Sequence, residues 1–278
     1  MASDDFTDWV GRTNVQTQRL DAWPVRGLRA ATSNDVEVTE GSELPPLTQW
    51  FYFAPWVPHT RIGIDGHPQR GAFLPPITLP RRMWAGSDIT YGEPMKIGDV
   101  AEKTERIAAI SEKQGKSGTL IFVTVEQRYT VGSRHALTET QTLVYRDHPQ
   151  SDEAPTQPKP APTDPAWSRR IRTDTALLFR YSAITFNAHR IHYDQPYATG
   201  EEGYPSVVVH GQLTATFMLD EFMRQYPGQR PKNFSFRAAK PIFCGDSFFV
   251  EGAPREESHA LWARDEQGNL CMSGSVRI

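Results

Sequence analysis

A sequence element that recurs at a fixed offset restricts what this chain can fold into more than any other feature. SDITYGEPMKIGDV (residues 87–100) and FSFRAAKPIFCGDSF (residues 234–248) both alternate as a strand, turn at a proline, and reach Gly-Asp before another strand. Pro94 aligns with Pro241, Gly98 with Gly245 and Asp99 with Asp246, always 147 positions apart (241 − 94 = 147). The proline-to-Gly-Asp spacing alone is common turn chemistry. Between the copies, however, lies DHPQSDEAPTQPKPAPTDPAW, residues 147–167, rich in proline and poor in apolar residues. Proline cannot donate to a strand ladder, so this segment reads as an extended linker. Matched strands around a central linker predict a duplicated unit: a first half 1–146, a linker 147–167 and a second half 168–278.

Both copies run on into further strand patterns. In the first half these are VAEKTERIAAISEK, GTLIFVTVEQRYTV and ALTETQTLVYRD; in the second, SFFVEGAPREE, ALWARDEQG and LCMSGSVRI. Long alternating strands in consecutive hairpins predict antiparallel sheet. The second half also predicts a helix, GQLTATFMLDEFMRQY (211–226). Leu213, Phe217, Met218, Phe222 and Met223 form its apolar stripe, and Pro227-Gly228 stops it. The first half offers the shorter aromatic LPPLTQWFYFAP (44–55). The expected class is α+β, each sheet wrapped on one central helix.

A net charge of −3 without any basic cluster argues against nucleic acid as a partner. No run of about 18 apolar residues occurs, so no membrane partner is expected. The acidic start MASDDFTDWVGR has neither the apolar core of a secretory signal nor the arginines of a transit peptide. Cys244 and Cys271 are the two cysteines, with no C-x-x-C pair and no zinc-ligand spacing. A cytoplasmic protein without metal or other cofactor is therefore expected; a homo-oligomer is left open.

Chemistry concentrates in RYSAITFNAHRIHYDQPYA (180–198) and GYPSVVVHGQLTATFMLDEF (203–222). Asn187, His189 and His192 crowd between apolar residues just after the helical stretch TALLFRYSAI. A valine run then leads through His210-Gly211 into the apolar helix. A glycine opening a helix exposes free backbone N–H groups where the helix dipole favours a negative oxygen. His192 has the chemistry for proton transfer near neutrality. A polar cluster beside an apolar helix is more often a hydrogen-bonded structural network than a site, so the residues alone reach no further than an acid/base site of unspecified reaction.

The segment A-H-R-I-H-Y-D-Q-P-Y-A, followed by H-G-Q-L-T-A-T at the helix start, resembles the signature of the MaoC-like, (R)-specific enoyl-CoA hydratase family. LPPLTQWFYF, RGAFLPPITLPRRMWAG and RYSAITFNAHRIHYD make the whole chain most similar to the two-domain branch of mesaconyl-CoA and itaconyl-CoA hydratases. The resemblance implies a double hotdog: a degenerate, dehydratase-like first domain that shapes the substrate pocket, and a catalytic second domain. It places the family's histidine on His192 and its glycine donor on Gly211. The family's aspartate falls on Asn187 and its asparagine on His189, both departures; an amide cannot act as a general base.

The implied activity is hydration of a short unsaturated, dicarboxylic acyl-CoA, such as itaconyl-CoA or mesaconyl-C4-CoA, to citramalyl-CoA. The implied catalytic set is Asn187, His192 and Gly211, with His189 and His210 toward the substrate. A free acyl carboxylate calls for a cation, and Arg81, Arg82, Arg180 and Arg190 are the candidates. A fatty-acid-type 3-hydroxyacyl-thioester dehydratase is the enzyme alternative. A thioesterase would want a carboxylate near the central helix, and none precedes Gly211. A non-catalytic acyl-CoA-binding protein remains open because Asn187 replaces the acid.

Overall fold

The computed structural model describes residues 6–34, 37–115, 118–147 and 157–278. The first half runs β1 (Thr13–Arg19), α1 (Ala22–Ala31), a 3-10 turn at Thr48–Phe51, β2 (Arg81–Tyr91), β3 (Val100–Gly115), β4 (Gly118–Val131) and β5 (Arg134–Arg146). The second half runs β6 (Trp167–Arg172), α2 (Thr175–Thr185), α3 (Gly211–Gln225), β7 (Asn233–Ala238), β8 (Ser247–Pro254), β9 (His259–Asp265) and β10 (Leu270–Arg277). The 147-residue offset reappears in these bounds: β2 ends at Tyr91 and β7 at Ala238, while β3 begins at Val100 and β8 at Ser247.

All pairings are antiparallel, in the order β1-β3-β4-β5-β2-β7-β10-β9-β8-β6. Read outward from the centre, 2-5-4-3-1 on one side matches 7-10-9-8-6 on the other. The two expected antiparallel sheets have five strands each and are continuous through β2 and β7. Their pairing is short, from Gly86↔Arg237 to Thr90↔Asn233. Before Gly86, β2 carries a bulge against β5 between Trp84 and Gly86 and parts from β7. Gly86 is required at that point, because a Cβ would lie 2.1 Å from the Phe236 carbonyl oxygen. The gap between residues 82–85 and 238–242 is part of a cavity.

α3 is the central helix of the second half. Leu213, Phe217, Met218 and Phe222 are buried with Phe234, Phe248, Val250 and Leu261 of the sheet. Each such side chain contributes roughly 1.5–3 kcal/mol by leaving water. The first half has no equivalent α-helix at 44–55. Pro45 and Pro46 stand at the segment's start, Pro55 ends it, and Leu47 (φ 70) and Phe53 (φ 58) are left-handed, leaving only the 3-10 turn. A wholly buried carboxylate, Glu139 of β5, anchors this turn. It accepts from Gln49 Nε2 (3.1 Å), Trp50 Nε1 (2.9 Å), Ser87 Oγ (2.7 Å) and Gln141 Nε2 (2.9 Å). The helix of that half is instead α1, packed so closely on α2 that a Cβ on Gly27 would meet Ile184 Cγ2 at 2.7 Å.

Residues 148–156 of the expected linker lie outside the described residues. From Lys159 onward the segment packs on the β9–β10 turn: Ala161 is buried, its N–H donates to the Gly268 carbonyl, and the Leu270 N–H donates to that of Lys159. No helix among the described residues is long and apolar enough to cross a membrane.

Candidate active site

α2 delivers the first site residue. Asp174 caps it through Leu177 N–H (2.8 Å), and Phe186 closes it in the left-handed conformation at φ 50. Asn187 N–H then returns to the Ser182 carbonyl, the bond that completes a Schellman cap. The Asn187 side-chain oxygen accepts from His189 N–H (3.0 Å), an Asx turn that points its amide group onto the cavity. A 3-10 turn at Arg190–His192 follows, braced by the Arg190–Asp194 ion pair (2.8 Å).

His192 is buried, and its Nδ1 lies 2.7 Å from the Val208 carbonyl oxygen. A carbonyl only accepts, so Nδ1 carries the proton and Nε2 keeps its lone pair. His210, the residue before α3, stacks on His192 at 3.7 Å and 19°, and its Nε2 meets Ser182 Oγ at 2.8 Å. Gly211 opens α3, where the first-turn N–H groups have no intrahelical acceptor. A Cβ there would sit 3.5 Å from Trp84 and 3.8 Å from Met272, an ordinary contact. Trp84 is itself set edge-on against Trp50, the indole held by Glu139.

These groups line one cavity of about 520 Å³ between the halves. Asn187, His189, His192, His210 and Gly211 all line it. Much of the remaining wall is apolar, including Met83, Leu143, Val208, Ile242 and Met272. Of the four arginine candidates only Arg82 lines the cavity. Arg81 is buried in an ion pair with Glu202 (2.8 Å) and bonds the Tyr204 hydroxyl. Arg190 is spent on Asp194 and the Ile64 carbonyl, and Arg180 is exposed.

One site residue had no signal in the sequence. His67 lines the cavity from a first-half loop and lies 4.3 Å from His189 with the rings tilted by 40°; His189 meets His192 edge-on at 5.5 Å, so His67, His189, His192 and His210 form a column of contacting imidazoles. The loop is fixed by backbone contacts: Asp65 carbonyl accepts from Arg190 N–H (2.9 Å), and Gly66 (φ +87) passes so close that a Cβ would fall 1.8 Å from the Ala188 carbonyl oxygen. Burial holds all four imidazoles below the ordinary value of 6.5. His192 is pushed down to about 4 despite its Val208 bond, and His189 to about 2, with neighbouring His192 and Arg82 adding to burial. His67 and His210 are held well below 6.5, by burial first, then by Arg82 for His67 and by His192 for His210. At neutral pH the column is uncharged.

The sequence model of the family described as "Hydroxyacyl-thioester dehydratase type 2" matches residues 47–244. Over 279 aligned residues the chain is 40% identical to the mesaconyl-C(4)-CoA hydratase of Chloroflexus aurantiacus, covering 100% of this chain and 99% of that protein. Among solved structures, HtdX of Mycobacterium tuberculosis superposes with a TM-score of 0.70 at 21% identity, over 95% of this chain and 98% of that one. A second Mycobacterium tuberculosis protein, described as having a double hotdog fold, superposes with a TM-score of 0.62 at 10% identity, over 96% and 95% of the two chains.

Proposed function

Because the chain belongs to the hydroxyacyl-thioester dehydratase type 2 family, we propose that it hydrates the double bond of a short unsaturated acyl-CoA carrying a free carboxylate. The observation that carries this reading is a base and an oxyanion donor on one cavity: His192 with its Nε2 lone pair free, and the Gly211 N–H at the start of a 15-residue helix. The substrate class is supported by the whole-length similarity to the mesaconyl-C(4)-CoA hydratase.

The thioester oxygen accepts from Gly211 N–H, where the helix dipole favours the growing negative charge. Water held by the Asn187 amide attacks the β-carbon, its O–H bond breaks, and its proton passes to His192 Nε2. The π electrons of the double bond move into the enolate. The enolate collapses as the α-carbon takes that proton back from His192, leaving the enzyme unchanged. A histidine whose conjugate acid is strong, with a pKa of about 4, returns the proton readily. The second half supplies these groups; the first half closes the cavity with Arg82, Trp84 and His67.

Loss of enoyl absorbance with mesaconyl-, itaconyl- and crotonyl-CoA tests the activity, and His192→Ala should lower kcat about a hundredfold or more. Near-normal turnover in a folded His192→Ala protein removes His192 from the mechanism. The second reading, dehydration of fatty 3-hydroxyacyl thioesters, is favoured by the apolar share of the cavity wall. It takes over if turnover rises with acyl length.

A further inference from the structure

The column of imidazoles has a charged end. Arg82 of β2 faces the cavity beside His67 and His189, and its charge helps to keep both neutral. Only 10% of its side chain is exposed, yet its nearest carboxylate, Asp65 Oδ2, stands 3.8 Å away, beyond hydrogen-bond reach. The other cavity cation, Lys240, is tied to Asp265. Asp65 is not free to move closer, because its Oδ1 accepts from His67 N–H (3.0 Å) within the loop that Gly66 docks on Ala188. A guanidinium presents five donors in a planar fork that suits a carboxylate bidentately. Here that fork is desolvated, with the Tyr145 hydroxyl and the distant Asp65 carboxylate as its neighbours, and it lines the ligand space. Gly211 and His210 lie past the other end of the column, so a thioester seated at Gly211 directs its acyl part along His192 and His189 toward Arg82.

We propose that Arg82, flanked by His67 and His189, is the carboxylate-receiving subsite that makes the cavity select dicarboxylic over monocarboxylic acyl thioesters. This rests on the acyl-CoA reading above. It adds a first-half loop and strand to the specificity machinery. It also sets a length limit, because an apolar tail would have to end against a guanidinium and two imidazoles.

Two measurements keep the subsite separate from the activity. Calorimetric binding of succinyl-CoA and butyryl-CoA, which have no double bond to hydrate, reads the subsite whether or not turnover occurs. The wild type should bind succinyl-CoA more tightly, and Arg82→Gln should reduce that preference about ten- to a hundredfold, the scale of one charged hydrogen-bonding partner. Asp65→Asn, which keeps the acceptor for His67 N–H, should leave succinyl-CoA binding as tight or tighter, a direction that a purely structural role for the pair would not give. In turnover, Arg82→Gln should raise KM for mesaconyl-C4-CoA while kcat stays within a few-fold. Equal binding of the two analogues by the wild type, or an unchanged preference in Arg82→Gln, overturns the subsite. Absence of turnover with intact succinyl-CoA preference overturns the hydratase reading instead.

Discussion

Acidification from about pH 7.5 to about pH 5.5 acts directly on the four imidazoles that the fold keeps neutral. His67, His189, His192 and His210 all have folded pKa values below the ordinary 6.5, so the unfolded chain binds more protons than the folded one. Stability from a base with a depressed pKa is complete above the unfolded value and is lost as pH falls through it, down to about 4 for His192 and about 2 for His189. At pH 5.5 an unfolded histidine is about nine-tenths protonated, so unfolding takes up about two protons at His189 and His192, and His67 and His210 add to the uptake in the same direction. Integrated over the two pH units, His189 and His192 together cost about 3 kcal/mol, a sizeable part of the usual 5–15 kcal/mol of a folded domain. Asp220 works the other way, because burial raises its carboxyl pKa and protonation relieves that cost. The carboxylates held low by hydrogen bonds and ion pairs, Asp194, Glu251 and Asp265, lose their contribution only below the carboxylate range. Urea titrations at constant ionic strength should show the midpoint falling across this window with little change in slope. Calorimetric proton uptake near pH 5.5 should drop by about 0.9 proton in His189→Asn. A flat midpoint, or an uptake near zero, would refute the assignment of four neutral buried imidazoles.

Two further substitutions probe the reacting end. Gly211→Ala should fold normally, since the new methyl meets Trp84 and Met272 at ordinary distances, but it crowds the oxyanion donor and should lower kcat about 10²- to 10³-fold with an unchanged thermal midpoint. Asn187→Asp keeps the acceptor for His189 N–H and sets a negative charge on the same cavity as His192. The acid limb of kcat/KM should move upward from about 4 by one unit or more; a limb that stays put means that position 187 does not sense His192.

The parts of the fold legible in the sequence are those governed by local chemistry. Gly98 and Gly245 sit at φ +97 and φ +95, so each copy of the repeat needs a glycine in the same turn, and Asp99 accepts from Lys96 N–H there. The long strands showed as alternation and α3 as an apolar stripe. β1 escaped because TNVQTQR is a polar edge strand with no apolar face to alternate. α1 escaped because Pro24 and Gly27 read as breakers. Pro24 lies in the first turn, where its missing N–H costs nothing, and Gly27 is the contact with Ile184. In the site, Asn187, His189, His192, His210 and Gly211 were legible because one continuous stretch of the second half carries them. His67 and the choice of Arg82 among four arginines depend on a loop docked through backbone atoms, which leaves no pattern in side-chain order.

The two departures from the family pattern belong to the same electrostatic arrangement as that docked loop. A carboxylate at position 187 would share a desolvated cavity with the free carboxylate of a dicarboxylic substrate. Unit charges roughly 6–8 Å apart at an effective dielectric of about 20 repel by about 2–3 kcal/mol, enough to cancel much of what one arginine contributes. On the proposed mechanism Asn187 would hold water without that charge, and the imidazole of His189, neutral at working pH, lies 4.3 Å from His67 with the rings tilted by 40°. Arg82 then faces a cavity in which the reacting groups carry no formal charge, and the nearest fixed anion, Asp65, is held just out of hydrogen-bond range. An uncharged side chain at position 187 and a guanidinium at the other end of the cavity are thus complementary for a substrate with a second negative charge.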